Sequence, residues 1–173
     1  MQPNNLFQIA NTPQRICYLD FDGVVHVESV YWSPKRGIYL ANAPGRILFE
    51  WMPILEQLLA PYPDVRIVLS TSWVRARSFN FAKQQLNLPL QERVIGATFH
   101  HRHMREEDFV LLPRGVQIAN DVRRRVPQSW FAIDDDHVDW PDWCRDNLIR
   151  TDGAVGLSDS KIQNEIQRML ENF

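Results

Sequence analysis

Ile16-Cys17-Tyr18-Leu19-Asp20-Phe21-Asp22-Gly23-Val24-Val25 places two carboxylates one residue apart at the end of an apolar run. The four residues before Asp20 read as a short buried β-strand, and Gly23 lets the backbone turn sharply as it leaves. Side chains alternate faces along a strand, so Asp20 and Asp22 are expected to share a face at its C-terminal end. Open α/β sheets place their ligand crevice at that edge. Two carboxylates held together repel unless a cation or a proton lies between them, so the pair predicts a bound metal. Asp-x-Asp-Gly is also ordinary turn chemistry, and only partners elsewhere in the chain can separate the two readings.

The 173 residues are 45% hydrophobic and 23% charged, which suits one globular domain with a full core. The expected organisation is a loose leader over 1–14 and a single domain over 15–173, with a short flap or insert at about 26–46. A formal charge of −2 gives no nucleic-acid footprint over the whole molecule, although a local basic patch remains open. Cys17 and Cys144 imply no disulfide framework, so a reducing cytoplasm is the expected compartment. The first residues lack a basic segment followed by an apolar one, so no signal peptide is expected. No run of about 18 apolar residues is present to span a bilayer, so no membrane partner is expected.

Outward from the opening strand, 26–46 is polar, spotted with aromatics and broken by Pro34, Gly37, Pro44 and Gly45, which reads as a functional loop. Pro53 opens a helix to about Ala60. Val65–Leu69 is a second strand running into Ser70-Thr71-Ser72-Trp73. A helix is expected over Arg75–Leu86, a third strand over Arg93–Ala97, and irregular chain over 98–113. Gly115–Val126 is helical and stopped by Pro127. Trp130–Ile133 is a fourth strand ending in Asp134-Asp135-Asp136, Leu148–Arg150 a fifth, and Ser158 caps a last helix. Strands alternating with helices predict a Rossmann-like three-layer α/β/α fold with a five-stranded, mainly parallel sheet.

In such a sheet Asp20 and Asp22, Ser70-Thr71-Ser72, and Asp134-Asp135-Asp136 all fall on one rim. Taken singly, the hydroxyls read equally as caps of the next helix and the Asp triplet as a solvated turn. Their coincidence on one edge points to phosphoryl chemistry. Magnesium takes oxygen ligands from one or two carboxylates and a substrate phosphate, and hydroxyls hold the remaining phosphoryl oxygens.

The layout resembles the haloacid dehalogenase (HAD) superfamily, whose first motif is D-x-D-G-[TV] after a strand. More narrowly, LDFDGVVH, VRIVLSTSW, RGVQI, FAIDDD and LIRTD…GLS are similar to the HAD domain of Swiss army knife RNA-repair proteins. The resemblance covers residues 15–170. It implies that Asp20 is the nucleophile forming an aspartyl-phosphate and that Asp22 is the general acid and base. It also implies Mg2+ held by the Asp20 carboxylate, the Asp22 backbone carbonyl and one of Asp134 or Asp135. Thr71 would bind the phosphoryl group, with Ser72 as its neighbour in that role. Superfamily members usually carry a Lys in the third motif, and here Arg114-Gly115 stands in its place. Arg can bind phosphoryl oxygens in a bidentate manner, and Arg102 and Arg105 compete for the task.

The inserts are too short for a large cap domain, so an open site is expected. By analogy with the family, an open site takes a phosphorylated small molecule or a nucleic-acid phosphate end, with separate repair proteins as partners. The alternative is a catalytically idle HAD scaffold that binds phosphate or nucleic-acid ends. His100, His101 and His103 lack the spacing of a zinc site and read as an exposed or substrate-facing loop. Trp73 reads as core or as a base-stacking ring, and Arg123-Arg124-Arg125 as a solvated helix end.

Overall fold

A computed structural model describes residues 14–173, so the expected leader lies outside the described residues apart from Gln14. In chain order the strands are β1 (Arg15–Leu19), β2 (Val30–Ser33), β3 (Gly37–Leu40), β4 (Val65–Leu69), β5 (Val94–Ala97), β6 (Ser129–Asp134) and β7 (Leu148–Arg150). The α-helices are α1 (Met52–Leu59), α2 (Ser72–Ala76), α3 (Phe79–Gln84), α4 (Leu88–Arg93), α5 (Glu106–Val110), α6 (Arg114–Arg125) and α7 (Ser160–Glu171). Five strands form one parallel sheet in the order β5-β4-β1-β6-β7. The chain moves outward from β1 through β4 to β5, then crosses back to pair β6 against the other side of β1. The strand order therefore reverses at β1, and a crevice opens at the C-terminal ends of β1 and β6.

Alternation along β1 builds two cores. Cys17 and Leu19 join Ile67, Leu69, Phe131 and Ile133 under α1 and α7, which bury Leu55 and Leu59, and Ile166 and Leu170. Ile16 and Tyr18 point the other way, to Val68, Ala132, Ile118 of α6, Trp140 and Cys144. Both faces are apolar because both are covered, so the strands read as continuous hydrophobic runs. Both cysteines are buried free thiols. No helix among the described residues is long and apolar enough to cross a membrane.

Several local expectations need correction. The segment 26–46 is not merely a loop, because β2 and β3 form an antiparallel hairpin within it, Val30 opposite Leu40 and Trp32 opposite Ile38. Gly37, at φ +69°, makes the turn, and the breakers around the hairpin masked two strands of only four residues each. The helix expected over Arg75–Leu86 is two helices, because the Ser78 hydroxyl caps α3 by accepting from Phe81 N and Arg77 leaves the helical region. Arg93 closes α4 instead of opening a strand, and 98–113 contains α5. Asp159, not Ser158, caps α7 through the Lys161 amide. Arg124 and Arg125 are not a free helix end: both bond the buried Asp121 carboxylate, which also accepts from Tyr18 Oη at 2.9 Å. Among the described residues no large cap covers the sheet edge.

Candidate active site

Asp20 is the first residue past β1, and its backbone continues the ladder on both sides. Its amide donates to Ile133 O at 3.2 Å, while the Ser70 amide donates to Leu19 O at 2.8 Å. The ends of β1, β4 and β6 are thereby held level. A carboxylate oxygen from each of Asp20, Asp134 and Asp135 falls within 4.8 Å of the others. Asp20 and Asp134 are buried, and Asp135 is half-buried.

Asp135 reaches this position because Gly23 has no side chain. A Cβ there would stand 2.5 Å from Asp135 Oδ2, and Gly23 also sits at φ +73°. The turn after Asp20 is fastened from the far end of the chain. Thr151 Oγ1 donates to Gly23 O at 2.8 Å, Leu157 N to Val24 O at 3.0 Å, and Glu28 N to Gly153 O at 2.9 Å. Asp134 Oδ1 accepts from the Asp136 amide at 3.0 Å, which fixes its carboxylate.

Arg114 opens α6, and its guanidinium spans the crevice. Nε lies 3.3 Å from Asp134 Oδ2, Nη2 lies 3.7 Å from Asp20 Oδ2, and Nη1 donates to the Ser70 carbonyl. Gly115 behind it is packed against Trp140, where a Cβ would meet the indole at 2.6 Å. Trp140 in turn donates from Nε1 to Asp136 O at 2.8 Å, locking the start of α6 to the Asp134–Asp136 loop.

Burial is the main force on these acids. It pushes the Asp20 carboxyl up to about 7, with Asp22 and Asp135 adding to the rise and Arg114 opposing it. Asp134 is driven up by burial and by Asp20, and Asp135 by burial. Burial works against the Arg114 charge, but Asp20, Asp134, Asp136 and Asp135 outweigh it and raise the guanidinium further. Three carboxylates against one guanidinium leave the cluster short of positive charge.

The Asp22 carboxylate stands apart from the three-acid group, though its charge acts on Asp20. β1 ends at Leu19, so strand alternation does not carry through Asp22. Its Oδ1 accepts from Trp73 Nε1 at 2.8 Å and lies 3.0 Å from Nε2 of the fully buried His26. Phe49 packs edge-on against both His26 and Trp73. Trp73 is thus both a core residue and a hydrogen-bond partner of Asp22. Sequence reading gave His26 no role, although it closes the LDFDGVVH motif four residues after Asp22, in a turn that pairs the two as a bridge.

Thr71, Ser72 and Arg114 do come together. They line an open groove of about 190 Å³ with Arg75, Gln117 and Asp136. The capping hydroxyl of α2 is that of Thr71, which accepts from Trp73 N at 3.4 Å, so Ser72 is the first helical residue and not the cap. Arg102 and Arg105 do not line this groove. Arg105 pairs with Glu107 and Asp108 on the surface, and Arg102 lines a separate cavity with His100, His101 and His103.

A known family matches this chain over most of its length. Residues 16–162 match the family described as the HAD domain in Swiss Army Knife RNA repair proteins. The chain belongs to that family. No curated protein and no solved structure matches it. In this HAD domain Asp20, Asp134 and Asp135 stand together at the sheet edge where the strand order reverses. The acid cluster of the HAD domain is suited to a divalent cation. Its donors are hard oxygens, and Asp134 Oδ2 is buried without a hydrogen-bond partner.

Proposed function

We propose that this HAD domain is a Mg2+-dependent phosphohydrolase that works through an aspartyl-phosphate on Asp20 and acts on nucleotide or nucleic-acid phosphate ends. The observation that carries it is the group of Asp20, Asp134 and Asp135 with Arg114 reaching across two of them. Asp20, Asp134 and Asp135 would hold the cation, with the Asp22 carbonyl as the expected backbone ligand. A bound Mg2+ would supply Lewis-acid stabilisation of the phosphoryl charge and favour the ionised form of Asp20.

The chain's own residues do the rest. An Asp20 carboxylate oxygen attacks phosphorus in line, the bond from phosphorus to the leaving oxygen breaks, and Asp22 delivers a proton to that oxygen. Water then attacks the aspartyl-phosphate while Asp22 takes its proton. Inorganic phosphate leaves and the Asp20 carboxylate is restored. Trp73 holds Asp22 in a fixed rotamer, which matters because one oxygen is committed and only the other is free for the proton. Thr71, Ser72 and Arg114 orient the phosphoryl oxygens from the groove side. The open groove suits a substrate larger than the groove itself, such as a phosphorylated chain end. Buried reduced thiols at Cys17 and Cys144 suit a cytoplasmic protein.

Phosphate release from an aryl phosphate and from phosphorylated oligonucleotides, with and without Mg2+, tests the reading. Turnover that needs Mg2+ and vanishes in Asp20→Asn supports it; an inert protein overturns it. The salt links from Arg114 to Asp20 and Asp134 favour a second reading, an idle scaffold in which the guanidinium replaces the cation. In that case Mg2+ would neither bind nor raise the melting temperature.

A further inference from the structure

The β2–β3 hairpin carries an aromatic surface that the phosphoryl chemistry does not use. Register places Val30, Trp32, Ile38 and Leu40 on the face towards the body and Tyr31 and Tyr39 on the outer face. Val30, Ile38 and Leu40 pack against the core as that placement requires. Trp32 does not follow them. It is 55% exposed, because the hairpin tip stands off α2 and leaves a cleft of about 160 Å³. The cleft runs between Tyr31, Trp32 and Ile38 of the hairpin and Ser72, Trp73 and Arg77 of the α2 side, and Asp22 also lines it.

Three observations say what this cleft takes. Asp22 and Ser72 are shared with the acid-base and phosphoryl groups described above, so an occupant is continuous with the phosphate position. Among the described residues Asp22 is the only acidic one lining the cleft. Its surroundings are cationic: Arg77 is exposed with no ion-pair partner among the described residues, and Lys35 and Arg36 are exposed at the hairpin turn. Arg36 lies over the Tyr39 ring at 5.2 Å, and Tyr39 and Tyr31 are paired at 6.3 Å. The volume falls below the ~300 Å³ at which pockets for drug-sized ligands begin, and so suits one flat ring rather than a whole nucleotide.

We propose that the cleft between the hairpin and α2 is a stacking site for the base adjoining the phosphate of a single-stranded nucleic-acid end, with Trp32 as the stacking ring. Aromatic stacking beside a cationic margin is how single strands are held without sequence preference. Arg77 faces the strand's backbone, and Tyr31, Tyr39 and Arg36 extend the margin outward. The proposal rests on the phosphohydrolase reading for where the phosphate lies, but stacking itself needs no chemistry.

The test measures binding and turnover separately on the full chain. Fluorescence anisotropy with a labelled single-stranded octamer, bearing either a terminal phosphate or a free hydroxyl, reads the cleft without catalysis. Trp32→Ala is expected to weaken both octamers roughly tenfold, with Trp32→Phe recovering most of the loss and Arg77→Glu weakening both as well. In turnover, the preference for a phosphorylated oligonucleotide over glycerol phosphate, read as a ratio of KM values, should collapse in Trp32→Ala. No octamer binding by the unaltered chain, or equal binding by Trp32→Ala, overturns the proposal. Trp32-dependent binding with no phosphate release supports the cleft and defeats the hydrolase reading. Turnover with a KM ratio that ignores Trp32 does the reverse.

Discussion

Trp73 Nε1 donates a 2.8 Å hydrogen bond to Asp22 Oδ1, tying a core indole to the proposed acid-base carboxylate. The indole is buried and packs against Phe21, Phe49 and Phe81. Trp73→Phe keeps a ring there and deletes the donor. A hydrogen bond to a charged group is worth about 1.5–3 kcal/mol. kcat is therefore expected to fall about tenfold or more with KM little changed, together with an altered pH profile. Steady-state kinetics across pH 5–9 check this; an unchanged profile would leave Trp73 a packing residue alone.

Asp20 should make the metal-free protein less stable as pH rises. Burial lifts its carboxyl from 3.8 to about 7, so the folded state binds the proton more tightly than the unfolded chain does. The stabilisation is complete below about 4 and is lost as pH climbs through about 7. Asp20→Asn mimics the neutral form at every pH. Its melting temperature should exceed that of the unaltered protein at pH 8 and approach it at pH 5, when both are measured in a chelator.

Arg114 offsets two buried acids at once. Removing one partner of a buried pair costs about 3–5 kcal/mol. Arg114→Ala should lose about that much in chelator at pH 8, with Mg2+ restoring a larger share of stability than it adds to the unaltered chain. Arg114→Lys keeps the charge but not the forked reach to Asp20 and Asp134, and should fall between the two. Calorimetric melting with and without Mg2+ measures each.

Gly23 makes room for a ligand. Gly23→Ala sets a methyl against Asp135 Oδ2 and strains a backbone at φ +73°. Displacing one carboxylate should weaken Mg2+ binding about 10- to 100-fold, the range seen when metal ligands lose their supports. Isothermal titration gives the affinity directly, and equal affinities would exclude Asp135 from the ligand set.

His100 supplies a pH effect away from the site. Arg124 Nη2 lies 2.7 Å from His100 Nε2, a contact that requires the nitrogen to accept. Burial, and then Arg124, lower the ring below its ordinary value of 6.5. Stability from this neutral ring is present above pH 6.5 and is lost as pH falls through the lowered value. His100→Gln should flatten the melting curve across pH 5–7, measured by circular dichroism.

Much of the site could be read from residues near strand ends. Asp20, Thr71 and Asp134 each follow an apolar run, and a run's end is visible without tertiary contacts. The Asp22 carboxylate stands apart from the three acids, beyond Leu19, where the ladder stops. Trp73 and His26 converge on Asp22 from 51 and four residues away, and no local pattern encodes that meeting. The β2–β3 hairpin was hidden by Pro34 and Gly37, which mark its turn as strongly as they would mark a loop. Arg124 and Arg125 looked solvated because their partner, Asp121, is polar yet buried.

The strut from Thr151 to Gly23 joins positions 128 residues apart. A ribosome making this chain delivers the proposed nucleophile, Asp20, well before the fastener, Thr151. Contacts across so long a separation form only after the intervening loop has closed. Growing chains that already contain Asp20, Thr71, Arg114 and Asp134 would hold every proposed reacting group and still lack a fastened turn after Asp22. Competence for chemistry should switch on only once Thr151 has been made and has docked on Gly23, which keeps the acidic edge dormant until then.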